Sequence, residues 1–203
     1  MNVGEQLVSS YLRYIKGCDF IQTNLYTLDR QGEIDVVGID LKHKKVYICE
    51  VAIHLSTGLQ YTKDKRPNNV AKLVEKFGRD IEYARKYLGE YSHEYMLWSP
   101  IVRDNASNPT YDQSGHLELV CSQLRQKWQV ELQCVVNADF DAALKAMRRF
   151  AGTQSAELKC PMMRLLQIEE LLGRHVNKRG SVLLSRGAQV LEEAMGAPAI
   201  ANT

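Results

Sequence analysis

Apolar residues recur at helical spacing at the start of the chain. Leu7, Val8, Tyr11, Leu12 and Ile15 line one face and Gly17 is a stop signal, which predicts a helix over 4–16. "CDFIQTNLYTL" (18–28) is rich in β-branched and aromatic residues and predicts a strand, with "DRQG" as the following turn. "GEIDVVGIDLKHKKVYICEVAIH" (32–54) then reads as two apolar strands, near 33–40 and 45–52, joined by a short basic turn. After a loop rich in Gly, Lys and Asp, Pro67 suits the first turn of a helix. Val70, Leu73, Val74, Phe77, Ile81, Ala84 and Leu88 keep a 3.6-residue period up to Gly89.

Further along, "EYMLWSPIV" (94–102) predicts a buried strand, 114–128 a helix, 129–137 a strand and 138–150 a helix. Residues 151–161 read as a connector, followed by a helix near 162–174, an "NKRG" turn and a weaker helical stretch near 181–195. The order is an α/β one, αβββαβ and then αβα. It implies a mixed central sheet flanked by helices, with a C-terminal helical extension. The expected division is 1–151 for the sheet-bearing domain and 152–203 for the extension.

Aspartate and glutamate are depleted in strand interiors, yet the hairpin carries Asp35 in one strand and Glu50 in the next. With Lys42 and His43 at the centre of the turn, Asp35 falls directly opposite Glu50. Opposed side chains on one face lie about 5 Å apart at Cβ, and like charges there are destabilising. A shared proton would relieve this, and a divalent cation does so better at neutral pH. Mg²⁺ and Mn²⁺ take hard carboxylate oxygens, with water and phosphate completing the shell. The two-residue alternation adds Glu33 and His54 to the same end of the face, and Glu5 lies at the edge of the first helix's apolar stripe. The plainer alternative is a solvated hairpin face. Val37, Ile39, Val46 and Ile48 share that face, however, and favour burial.

Composition changes little in this picture. The 203 residues are 45% hydrophobic and 25% charged with a formal net charge of +2, so any basic surface must be local. Five scattered cysteines without a CxxC pair point away from a zinc site or a disulfide framework. No apolar run approaches a membrane span and no signal-type h-region opens the chain, which predicts a cytoplasmic protein without membrane contact. The chain has no GxSxG elbow and no GxxxxGK[ST] or GxGxxG loop, so neither a nucleophilic hydrolase nor a nucleotide cofactor is expected.

"GEQLVSSYL" in the first helix, "GEIDVVG" and "VYICEVA" together resemble the PD-(D/E)XK nuclease superfamily, which has the restriction-endonuclease-like fold. The resemblance covers about residues 4–103. It implies an Mg²⁺- or Mn²⁺-dependent deoxyribonuclease that hydrolyses phosphodiester bonds, with Asp35 and Glu50 as metal ligands and catalytic residues and Glu5 assisting at the metal. The family pattern places a lysine two residues after the glutamate, and here that residue is Ala52. Some members recruit the lysine from the following helix, which offers Lys72 and Lys76, and His54 is a further substitute. Lys63 and Lys65 could touch phosphates, and the basic residues interleaved with tyrosines over 72–91 are suited to backbone and base contacts.

DNA is the expected partner, and the "GRHVNKRG" segment (173–180) would suit a DNA-contacting or homodimer-forming appendage. Two alternatives follow from Ala52 and from the unmatched C-terminal half. One is a catalytically silent relative that binds nucleic acid or a protein. The other is a subunit of a restriction or defence assembly that needs its partner.

Overall fold

The structure, a computed structural model, describes residues 2–27 and 32–179. Its elements in chain order are α1 (Val3–Tyr14), β1 (Phe20–Tyr26), β2 (Glu33–Asp40), β3 (Lys45–Val51), β4 (Thr62–Lys63), β5 (Arg66–Pro67), α2 (Asn69–Tyr87), β6 (Ser92–Ser99), α3 (Gln113–Trp128), β7 (Leu132–Val136), α4 (Asn137–Thr153) and α5 (Pro161–Arg179). The sheet is five-stranded and mixed, in the order β1-β2-β3-β6-β7, and β4 with β5 forms a separate small hairpin. β1, β2 and β3 form an antiparallel meander, while β3–β6 and β6–β7 are parallel pairs. The α/β class, the mixed sheet and the flanking helices therefore agree with the sequence reading.

The register of the β2–β3 hairpin also agrees. Val36 pairs with Cys49 and Asp40 with Lys45, and continuing that ladder by one residue sets Asp35 against Glu50. Each face of the sheet has its own core. One is built from Val8 and Leu12 of α1, Val36, Tyr47, Cys49, Met96 and Trp98 of the sheet, and Phe140 of α4. The other packs Val37, Ile48 and Leu97 against Leu73, Phe77 and Ile81 of α2 and Leu124 of α3. Burying such residues contributes roughly 1.5–3 kcal/mol each, so both helix layers are held by ordinary apolar packing.

Several boundaries differ from the sequence reading. Pro67 does not open α2. It closes the β4–β5 hairpin, and the helix starts at Asn69. The "NKRG" turn is not formed as such, because α5 runs through Arg179 and so continues across its first three residues. α5 packs on α4, burying Met163 with Met147 and Ala151 and pairing Arg148 with Glu169 and Glu170. The helix expected near 181–195 lies outside the described residues.

Candidate active site

The site lies where β2 begins and β3 ends, under α2. Asp35 and Glu50 are both buried, Glu50 completely. The Asp35 carboxylate accepts a hydrogen bond from the Val51 amide at 2.7 Å. The aspartate side chain thus takes over where the backbone ladder between β2 and β3 ends, and this holds the carboxylate at the sheet rather than in solvent.

Lys76 comes down from α2 between the two acids. Its ammonium contacts Glu50 Oε2 and stands 3.7 Å from Asp35 Oδ2. Burial alone would lower its pKa, but Glu50 and Asp35 outweigh burial and raise it, so Lys76 is a cation at any ordinary pH. Of the two helix lysines weighed from the sequence, Lys76 is the one brought to the carboxylates. Lys72 is half-exposed and pairs with Glu75 at 3.3 Å. His54 is exposed in the loop after β3 and makes no hydrogen bond or ion pair with Asp35 or Glu50 among the described residues. Ala52 is 2% exposed inside the α2-side core; a lysine there would have to bury its charge among apolar side chains.

The next helical positions carry Arg79, read from the sequence only as one of the basic residues suited to nucleic-acid contact, and Asp80, which the sequence reading passed over. Asp80 is fully buried and faces Glu50, and Arg79 ties the assembly together. The Arg79 guanidinium bonds Asp80 Oδ1 through Nε and Nη2 at 3.1 Å each, donates to the Glu33 carbonyl at 2.8 Å, and stands 3.8 Å from Glu50 Oε1. Glu33 thus contributes its backbone to the cluster. The guanidinium lies flat against Gly32, where a Cβ would fall 2.6 Å from Arg79 Nε, so "GEID" needs its glycine for this close approach. Lys76 and Asp80 are four residues apart on the helix side that also buries Leu73, Phe77 and Ile81. A charged pair at core spacing was the available signal for Asp80.

Charge is crowded here. Burial lifts the Glu50 carboxyl well above its usual range, the Asp35 charge lifts it further, and Lys76 pulls the other way. Burial also raises Asp80, against the pull of its contacts with Glu50 and Arg79. Among the described residues, neither oxygen of Glu50 nor Asp80 Oδ2 has a hydrogen bond of good geometry. Tyr61 covers the cluster from the loop side, its ring centroid 6.0 Å from Lys76 Nζ.

Glu5 is placed at the same end of the sheet. α1 begins against the end of β3, with a Cβ at Gly4 falling 2.9 Å from Val51 Cγ1, and Glu5 is buried, its Oε2 without a hydrogen bond among the described residues. Among the described residues no three His, Cys, Asp or Glu side chains gather closely enough to hold a metal by themselves, so Glu5 is not drawn into one group with Asp35 and Glu50. The donor chemistry still fits a hard divalent cation. Two carboxylates from neighbouring strands converge on a position that already holds a positive charge, the Lys76 ammonium.

Among the described residues no helix is long and apolar enough to cross a membrane. The described cysteines are all free, with Cys121 and Cys134 3.8 Å apart at sulfur. No family model, curated protein or solved structure matches the chain.

Proposed function

We propose that the chain is a metal-dependent endonuclease that hydrolyses phosphodiester bonds of DNA, on a restriction-endonuclease-like arrangement of its sheet and helices. The observation that carries this reading is the arrival of Lys76 from α2 between Asp35 and Glu50. It supplies, from a different element, the cation that Ala52 withholds. Asp35 and Glu50 would hold an Mg²⁺ or Mn²⁺ ion, with Glu5 reaching it through water. Bound there, such an ion lowers the pKa of a water and offsets charge on the phosphoryl group.

The chain's own residues do the rest. Lys76, permanently charged, donates to the non-bridging phosphate oxygens or holds the attacking water by hydrogen bonding, and stabilises negative charge as it develops. Asp80 and Arg79 keep Glu50 in place while Lys76 turns to substrate.

A second reading, a catalytically silent nucleic-acid-binding protein, draws on the same cluster, because Lys76 and Arg79 already offset the acids from within the protein. Cleavage of labelled linear, single-stranded and branched DNA separates the two. Metal-dependent cutting by the wild type, lost to background in Glu50→Ala and Lys76→Ala and retained in His54→Ala, is expected. No cutting of any substrate, together with no Mn²⁺-induced rise in melting temperature, would favour the silent reading.

A further inference from the structure

The β4–β5 hairpin departs from what an isolated surface hairpin would choose. Its two strands are only Thr62–Lys63 and Arg66–Pro67, and Lys63 is paired directly with Arg66. Like charges facing each other across antiparallel strands are destabilising. Among the described residues neither has a carboxylate within ion-pair reach, although many other cations of the protein do, Lys45 with Glu94 and Arg125 with Glu131 among them. The two-residue turn adds a third cation. Asp64 and Lys65 both have left-handed backbones, φ 51° and 62°, as a type I′ turn requires. Asn and Gly fill that turn easily; a lysine there meets steric resistance. Three exposed cations thus share four residues with a single carboxylate, Asp64, and an anionic partner would offset the remaining positive charge.

The hairpin is also fixed in place. Asn69, at the start of α2, accepts from the Tyr61 amide at 2.6 Å and donates to the Leu59 carbonyl at 3.0 Å, and the Asn68 amide donates back to Tyr61 at 2.7 Å. Tyr61, whose ring faces Lys76, is the residue that leads into β4. The basic hairpin therefore stands at the edge of the carboxylate cluster on a rigid base.

We infer that residues 62–67 form a grip for the phosphate backbone of a nucleic acid, with Lys63 and Arg66 as its two principal phosphate contacts and Lys65 at its tip. The inference rests on the nuclease reading for its choice of polyanion. Its geometry is independent of catalysis: a backbone seated on the hairpin passes beside Tyr61 towards Lys76, Asp35 and Glu50.

The test is equilibrium binding in EDTA, where no cleavage occurs, of a labelled DNA duplex of about 20 base pairs over about 50–300 mM salt. Lys63→Gln/Arg66→Gln should weaken binding about tenfold and flatten the log–log salt slope by about 1.8, since each lost phosphate contact removes about 0.9. Lys42→Gln/Lys44→Gln, in the β2–β3 turn at the opposite end of the five-stranded sheet from the carboxylates, should stay within about twofold of wild type. All four positions are exposed, and urea midpoints equal to wild type verify the folds. Unchanged affinity and slope in the hairpin variant would overturn the grip, as would a wild type that binds no DNA, or equal competition by polyglutamate or anionic vesicles. Wild-type binding that depends on Lys63 and Arg66 in this way, in a wild type that cuts no DNA with Mg²⁺ or Mn²⁺, would uphold the grip and remove the nuclease.

Discussion

The two faces of the sheet solve the same packing problem differently. On the α1 side the core is closed by aromatic contacts: Tyr11 and Phe140 flank Trp98 edge-on at 4.8 and 5.9 Å. On the α2 side the apolar packing of Leu73, Phe77 and Ile81 is interrupted by Asp35, Glu50, Lys76, Arg79 and Asp80. Apolar packing would have sufficed there too. Replacing a buried charge network by hydrophobic residues of similar volume is often neutral or stabilising, by about 1–4 kcal/mol. On the α1 side the pairs of Lys16 and Lys45 with Glu94 are half-exposed, whereas the buried network of the α2 side is one that stability alone does not require.

The largest expected effect falls on the aromatic face. Trp98→Ala empties the space between Tyr11 and Phe140 and should cost about 3–5 kcal/mol, read from urea unfolding. Under folding conditions its Mn²⁺ affinity should match wild type, because nothing at the α2 face is removed. A Trp98→Ala protein of undiminished stability would show that this face is not the structural one.

The charged face should respond in the opposite way. Lys76→Met leaves Glu50, Asp35 and Asp80 against Arg79 alone and should cost about 3 kcal/mol, the order expected when one partner of a buried pair is lost. Adding Glu50→Gln to Lys76→Met should return stability to within about 1 kcal/mol of wild type. Cleavage should stay absent in both. A double variant as unstable as the sum of its single changes would mean that the two side chains act separately and that the cluster is not one unit.

Much of this was legible in the sequence, for identifiable reasons. The β2–β3 register followed from one assumption, that Lys42 and His43 centre the turn, because the two-residue period leaves few alternatives once Val37, Ile39, Val46 and Ile48 must share a buried face. Lys76 was legible as one of two candidates, since helical periodicity confines a side chain to a sector without saying how deeply it is buried. Asp80 was not read and Arg79 was read only as a nucleic-acid contact, because a period sought in apolar residues treats charges at 79 and 80 as solvated. The β4–β5 hairpin was missed for a different reason. Strands of two residues carry no alternation, and Pro67 satisfied the rules for a helix start equally well.

The smallest expected effect lies at the turn end of the β2–β3 hairpin, far from the carboxylate cluster. His43 Nδ1 meets Asp40 Oδ2 at 2.6 Å, and the His43 amide donates to Asp40 Oδ1 at 2.9 Å. The side-chain bond from His43, followed by the backbone bonds, holds the Asp40 carboxyl below its ordinary range. A carboxyl with a lowered pKa in the folded state contributes stability that is present above its unfolded pKa and is lost as pH falls through the folded value. His43→Ala should therefore lower the urea midpoint more at about pH 5 than at about pH 3, because this contribution shrinks as pH falls towards the lowered folded-state value of Asp40. Cleavage should be untouched. An equal midpoint loss at both pH values would assign the effect of His43 to turn packing rather than to its bond with Asp40.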